Sequence, residues 1–296
     1  MQALKKVVTN LYKQRWAWFF IIPGYIIFLL FNIIPTLRTV YTSFFDYNLA
    51  TMEFAGLGNY IKLFGSQAFR ASVRNTLLFA VIITPLSTVV SLLIATTIFP
   101  LGNKAQSVYR GAFFLPNVIG GVIISAIWLW IFHPVYGVLN YVLSLFGVQP
   151  LLWLADSKTV IFSVVLVIMS WTCGSLIILY VAGLGNIDPC LMEAAKIDGA
   201  SPAQVFFRIT LPLLKPVTTF IVTTQLINCF QLWEVIYLLT DGGPVNASTT
   251  LAFDIYKKAF LLGDYGLAAA EGVMLIVLCA LVSLTTLRMV SGKEEK

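Results

Sequence analysis

Charge is what this chain has least of. Lys, Arg, Asp and Glu make up 11% of its 296 residues, against 59% hydrophobic residues, whereas a soluble domain carries about a quarter charged residues. A water-soluble fold of this length would lack the charge to cover its surface, which excludes a large soluble protein and leaves an integral membrane protein. Histidine is nearly absent. His133 stands alone beside Pro134, and a lone histidine without paired acids makes a poor metal or proton-relay site. The four cysteines, Cys173, Cys190, Cys229 and Cys279, lie far apart and mostly in apolar runs. They have neither metal-pair spacing nor a dense disulfide pattern, and read as small buried hydrophobes. There is no GxxxxGK[ST] phosphate loop, and no Ser/His/Asp or Cys/His set can be assembled around the one histidine. No enzymatic active site, metal or cofactor is expected in this chain. The net charge of +6 comes from basic residues scattered between apolar segments, a pattern suited to anionic lipid headgroups and not to nucleic acid.

Long apolar runs are what it has in abundance. A bilayer core takes about 20 mainly apolar residues in a helix, and six windows qualify, near 16–37, 76–100, 111–132, 159–184, 216–239 and 267–288. Backbone polar groups cannot be left bare in lipid, so each window is expected to be a helix. Pro23, Pro35, Pro85 and Pro116 lie in or at the edges of these windows, while Trp16, Trp18, Trp128 and Trp130 lie near their ends, as interfacial aromatics do. The first window follows a basic start, but is too long for a signal peptide and lacks a small-residue cleavage site, so it reads as an uncleaved span. Six spans put both termini on one side. Twelve of the Lys/Arg residues fall on that side and seven on the other, which places the termini in the cytoplasm. The expected fold is all-α: a cytoplasmic segment 1–15, one six-helix membrane domain 16–290 with no internal repeat of solenoid length, and a cytoplasmic tail 291–296.

One polar stretch interrupts this pattern between the fourth and fifth windows, "EAAKIDGASPAQVFFRITLPLLKP", Glu193 to Pro216. Asp188-Pro189 is a helix start, with Asp as N-cap and Pro at the first helical position. Gly199 suits a left-handed C-terminal cap. Ser201, Pro202 and Gln204 form a second N-cap with a capping-box partner, and that helix is expected to stop before Pro212. Two capped helices with a fixed corner are more than a passive linker needs, although a re-entrant hairpin without a partner stays open. Ala194 and Ala195 leave the first helix smooth for another surface, and Glu193 and Asp198 give it a negative edge.

Polar residues inside the windows carry the rest. Gln225, Asn228, Cys229 and Leu232 are spaced i, i+3, i+4, i+7 and share a helix face. Trp171, Thr172 and Ser175 share another, and Asn117 with Gly120-Gly121 lies in the third window. Amides in hydrocarbon need partners. Either neighbouring helices supply them, or a water-filled cavity holds a hydroxyl-rich ligand, for which Asn and Gln donate and accept and a Trp face stacks on a sugar ring. Glu234 and Glu271 are carboxylates near membrane depth, functional candidates by default. Both lie within about two turns of a span end, which permits an interfacial, water-reached carboxylate, and Glu271 would also gain from a helix N-terminus.

The sequence "EAAKIDGASPAQVFFRITLP" closely resembles the EAA-loop signature of ABC-importer permease subunits, in the form of the carbohydrate branch. "GLGNYIKLF" (Gly56–Phe64), "NTLLF" (Asn75–Phe79), "FFLPNVIGGV" (Phe113–Val122), "LTDGGP" (Leu239–Pro244) and "GDYGLAAA" (Gly263–Ala270) fall where that family has similar segments. The resemblance implies that Glu193, Ala194, Ala195, Asp198 and Gly199 dock on a cytoplasmic ATPase, and that the faces of spans four and five line a substrate cavity with Gly121, Trp171, Thr172, Ser175, Gln225, Asn228, Cys229 and Leu232. It further implies a second homologous permease, two ATPase subunits that bind ATP and magnesium, an extracellular or periplasmic binding protein, and a bacterial or archaeal cytoplasmic membrane. Glu271 departs from the family, where a small polar residue is usual. The expected cargo is a di- or oligosaccharide. Glycerol phosphate or an acidic sugar is the alternative within the class, but no Lys or Arg lies well inside a span. An ion-coupled carrier using Glu234 or Glu271 is the alternative outside it, against which stands the lack of duplicated halves.

Overall fold

The computed structural model describes residues 15–291. The expected segment 1–15 and tail 291–296, and with them the placement of the termini, therefore lie almost wholly outside the described residues.

The chain begins with α1 (Arg15–Phe28), a π turn (Leu29–Ile33) and α2 (Ile34–Thr42), which form one apolar rod over Trp18–Thr42. The π turn falls just before Pro35, whose missing N–H interrupts the ordinary ladder. A short antiparallel hairpin follows, β1 (Phe45–Tyr47) with β2 (Met52–Phe54), in register Phe45↔Phe54. Asn48 closes its turn by accepting from the N–H groups of Ala50 and Thr51. This hairpin is the one departure from an all-helical fold among the described residues. Then come α3 (Gly58–Gly65) and α4 (Gln67–Ile98), the latter capped by Ser66, which accepts from Phe69 N.

The remaining helices are α5 (Asn103–Ile119), α6 (Gly121–Ile131), α7 (Val138–Leu145), α8 (Val160–Gly185), α9 (Pro189–Ile197), α10 (Pro202–Val205), a π turn (Phe206–Thr210), α11 (Leu211–Leu213), α12 (Lys215–Phe230), α13 (Glu234–Leu239), α14 (Leu251–Tyr256), a π turn (Lys257–Leu261) and α15 (Tyr265–Ser291). Among the described residues four helices are long and apolar enough to cross a membrane, or up to six if each of two bent pairs is one span. The fold is thus a mostly helical multi-pass membrane domain.

Two windows expected as single helices are broken. The third bends by 96° at Gly120, between α5 and α6. Gly120 has φ +85° and ψ 161°, a region open essentially to glycine alone. The fifth ends at Phe230 and resumes at Glu234 as α13. Non-helical backbone at membrane depth is tolerated where it is enclosed by protein or lines a cavity, and both breaks lie beside the cavity described below.

The core forms around α4 and α8. Their facing positions are small or β-branched: Ala80, Thr84, Ser87, Ser91 and Ala95 on α4 are buried, as are Ser163, Val164, Val167 and Gly174 on α8. Small residues let membrane helices approach closely. Gly174 takes this furthest, since a Cβ there would lie 2.1 Å from the carbonyl oxygen of Phe113 on α5. One end of the bundle is tied by α4: Asn75 Nδ2 donates to the carbonyls of Asn246 and Thr249, and Thr76 Oγ1 accepts from Leu251 N. At the other end Gly185 approaches Phe99, and from there the 188–216 segment emerges.

Glu271 is not the water-reached carboxylate expected. It is fully buried and ion-paired with Lys258, which also donates to Asp254 Oδ2 at 2.6 Å. Of the cysteines, Cys190 is exposed, so the buried-hydrophobe reading fails there; Cys229 is buried, and Cys173 and Cys279 are half-buried.

Candidate functional site

The polar helix faces converge on one cavity of about 430 Å³. α8 contributes Trp171, Thr172 and Ser175, and α12 contributes Gln225, Asn228 and Cys229. The segment after α12 adds Gln231, Leu232 and Trp233, α13 adds Glu234, α5 adds Asn117, and Ile83 and Ile168 close the apolar floor. Seven of the eight residues expected around a cavity line it. Gly121 does not line it but stands behind the wall. A Cβ on Gly121 would fall 2.9 Å from Glu234 Oε2 and 3.2 Å from Trp171 Cη2, so its bare backbone leaves the room those two side chains use.

The wall is held by its own hydrogen bonds. Asn228 Nδ2 donates to Gln225 Oε1 at 3.2 Å, and Gln225 Nε2 donates to Ser87 Oγ at 3.3 Å. Thr172 Oγ1 donates to the Ile168 carbonyl and Ser175 Oγ to the Thr172 carbonyl, both at 3.0 Å. Asn117 Nδ2 reaches the Trp171 carbonyl at 3.4 Å. These amides thus bond to neighbouring groups and also border the cavity, while the indole N–H of Trp171 has no hydrogen-bond partner. The break after α12 is fixed from outside by Thr250 Oγ1, which donates to the Leu232 carbonyl, and by Trp233, which stacks on Tyr256 at 4.9 Å.

Gln231 and Trp233 were not found by sequence reasoning, because a helix continued to 239 turns them away from the face of Gln225 and Asn228. The Asp254–Lys258–Glu271 cluster was also missed. Its signal is the i, i+4 spacing of Asp254 and Lys258, opposite charges on one helical turn. Among the described residues no group of three or more His, Cys, Asp or Glu side chains could hold a metal ion.

The 188–216 segment has the predicted caps. Asp188 accepts from Cys190 N, and Ser201 and Gln204 form the reciprocal capping box. Gly199 has φ +74°; its N–H donates to the Lys196 carbonyl, and the Ala200 N–H donates to the Ala195 carbonyl, the Schellman arrangement. Glu193, Ala194, Asp198 and Gly199 are exposed, while Ala195 is buried against the chain. Ile197, three residues beyond Ala194 on the same helix, is 86% exposed. The second helix does not stop before Pro212. It passes through the π turn into α11, and the turn's wider ladder accommodates the proline.

The fold is thus a multi-pass helical bundle with two broken spans beside a polar cavity. Residues 87–290 match the model of the binding-protein-dependent transport system inner membrane component family, and this chain belongs to that family. A probable ABC transporter permease protein, YurN of Bacillus subtilis, is 34% identical over 282 residues, covering 93% of this chain and 96% of the relative. The trehalose/maltose transport system permease protein MalF of Thermococcus litoralis is 33% identical over 279 residues, covering 92% and 93%. In fold, the chain superposes on a bacterial ABC transporter involved in the import of the acidic polysaccharide alginate, with TM-score 0.86 and 23% identity over 97% of this chain and 99% of that one. Other relatives are named for sulfoquinovosyl glycerol, lactose and sn-glycerol 3-phosphate transport. As a member of this family the chain is a permease, a membrane channel subunit without ATPase activity, which belongs to separate partner subunits.

Proposed function

We propose that this chain forms half of the translocation pathway of an ATP-driven importer, and that the cavity between α5, α8, α12 and α13 takes a di- or oligosaccharide. The observation that carries this reading is the wall itself: Asn117, Asn228, Gln231, Thr172 and Ser175 around an indole, Trp171, in 430 Å³. Carbonyl and hydroxyl oxygens receive sugar hydroxyls, and an indole face covers the apolar side of a pyranose ring. Relatives named for trehalose/maltose and lactose support the same substrate class. A second homologous permease closes the open side of the cavity, and an extracellular or periplasmic binding protein delivers the sugar.

In this reading the termini and α9–α11 are cytoplasmic, and two ATPase subunits there bind ATP and magnesium. α9 docks on one ATPase through Glu193, Ala194 and Asp198, while the capped corner at Gly199 transmits its movement through α10 and α11 to α12. The substrate contacts on α12 and the coupling surface on α9 are then joined through 202–213, which meets α12 at a 65° bend. The second reading, uptake of glycerol phosphate or an acidic sugar, is favoured by the relative named for sn-glycerol 3-phosphate. The deciding experiment purifies the complex with its partners in lipid and measures ATP hydrolysis stimulated by the binding protein across a panel of saccharides and sn-glycerol 3-phosphate. Stimulation and uptake with a saccharide are expected; stimulation by glycerol phosphate alone selects the second reading.

A further inference from the structure

We propose that Glu234 is the selecting residue of the cavity: its carboxylate receives ligand hydroxyls and repels anions, so the ligand class is a neutral, hydroxyl-rich saccharide. This rests on the saccharide reading above and narrows it.

Glu234 is the first residue of α13 and the one charged side chain among those lining the cavity. No Lys, Arg or His stands in that wall, and among the described residues neither carboxylate oxygen has a hydrogen-bond or ion-pair partner. The other acids packed inside this half of the bundle behave differently, since Asp254 and Glu271 share Lys258. A carboxylate that only stabilised the fold would be expected to hold such a partner, because an unpaired charge away from bulk water is expensive. Glu234 instead borders the cavity with its carboxylate unpaired and Oε2 packed over Gly121. Gly121 keeps that position open, as even a methyl group there would press on Oε2 at 2.9 Å.

The neighbours bias the site the same way. Asn228 and Gln225 each donate one amide N–H, to Gln225 and Ser87, and Thr172 and Ser175 return their protons to carbonyls of their own helix. What remains is the unpaired Glu234 carboxylate, with the indole N–H of Trp171 and the second amide N–H groups as the donors left over. A polyol arrives with a proton on every hydroxyl and matches this wall. A phosphate, sulfonate or uronate brings further acceptors and a negative charge against Glu234, in a site where reduced dielectric strengthens the repulsion.

The test uses the reconstituted complex with its own binding protein, which is the same for all variants, so its selectivity cancels in the comparison. The probes are the neutral disaccharide transported best in the panel, and the same disaccharide with one unit replaced by glucuronate, both at concentrations that saturate the binding protein. Glu234→Gln should lower kcat/KM for the neutral probe about tenfold, the loss of one charge-assisted hydrogen bond. It should raise the anionic-to-neutral ratio by at least the same factor, while Glu234→Asp keeps the wild-type ratio. If Glu234→Gln does not assemble, Gly121→Ala, which displaces the carboxylate without removing it, should shift the ratio in the same direction by a few-fold. An unchanged ratio in an assembled variant, with wild type carrying neutral sugar, overturns the inference and leaves the saccharide reading standing. A wild type that carries no neutral saccharide overturns both.

Discussion

Lys258 and Glu271 form an ion pair in which both side chains are buried, joining the π turn after α14 to the first turns of α15. Asp254 accepts from the same ammonium at 2.6 Å, and Ser72 Oγ on α4 lies 3.4 Å from Glu271 Oε1. Three helices are thereby tied at the end of the bundle that carries the 240–250 loop. Through Thr250 and its hydrogen bond to the Leu232 carbonyl, the same tie sets the backbone break that shapes the cavity. Removing Lys258 leaves two buried carboxyl groups without a counter-charge, which costs about 3–5 kcal/mol, whereas removing Glu271 leaves the Asp254–Lys258 pair in place. Lys258→Ala should lower the thermal unfolding midpoint of the purified chain by several degrees, and Glu271→Ala by less. A shift within error in both would mean that water reaches the cluster.

The corner between α9 and α10 depends on Gly199 for conformation, not for space. Its φ is +74° and no atom lies within 4 Å of where a Cβ would be. Gly199→Val then pays the left-handed penalty of about 1–2 kcal/mol or tilts α9. If the segment is the coupling lever, this variant and Glu193→Lys should insert normally but lose most binding-protein-stimulated ATP hydrolysis or fail to co-purify with the ATPase. Wild-type stimulation in both would leave a folded but passive loop.

Gly174 is a packing position. With the Phe113 carbonyl 2.1 Å from a virtual Cβ, Gly174→Ala must push α8 and α5 apart, an overpacking cost of about 1–3 kcal/mol. Lower yield of folded protein and a lower unfolding midpoint are expected, whereas Gly111→Ala, with no atom within 4 Å of the new methyl and no positive φ, should disturb no helix contact. Equal yields and midpoints would remove the close approach from the account.

Orientation is tested by thiol labelling in sealed cells, in a cysteine-free background. Leu49→Cys and Val245→Cys, at positions 82% and 98% exposed, should react from outside, and Ile197→Cys should not. The reverse pattern would invert the topology.

The caps at Asp188, Gly199 and Ser201 were legible in the sequence because capping is local: the residues that satisfy the helix ends are neighbours in the chain. The cavity faces were legible for Trp171 to Ser175 and Gln225 to Cys229 because helical periodicity holds there. Periodicity fails where the backbone leaves the helix, and Gly120 and Gln231–Trp233 mark those places. Glycine permits a 96° bend without announcing it, and nothing local marks Phe230 as a helix end. Glu271 was misplaced for a different reason. Its partner Lys258 is thirteen residues away, and only the fold of the 251–261 segment brings the ammonium inward.

The central claim is that the cavity beside Asn228 is the path of a sugar. Asn228 is exposed to that space, so in a cysteine-free chain Asn228→Cys can be modified by a small thiol reagent during ATP-driven turnover in the reconstituted complex. Saturating saccharide with the binding protein should slow the modification at least about fivefold, by occupying the cavity, and the attached group should block uptake. Modification at the same rate with and without sugar, together with undiminished uptake after labelling, would contradict the account.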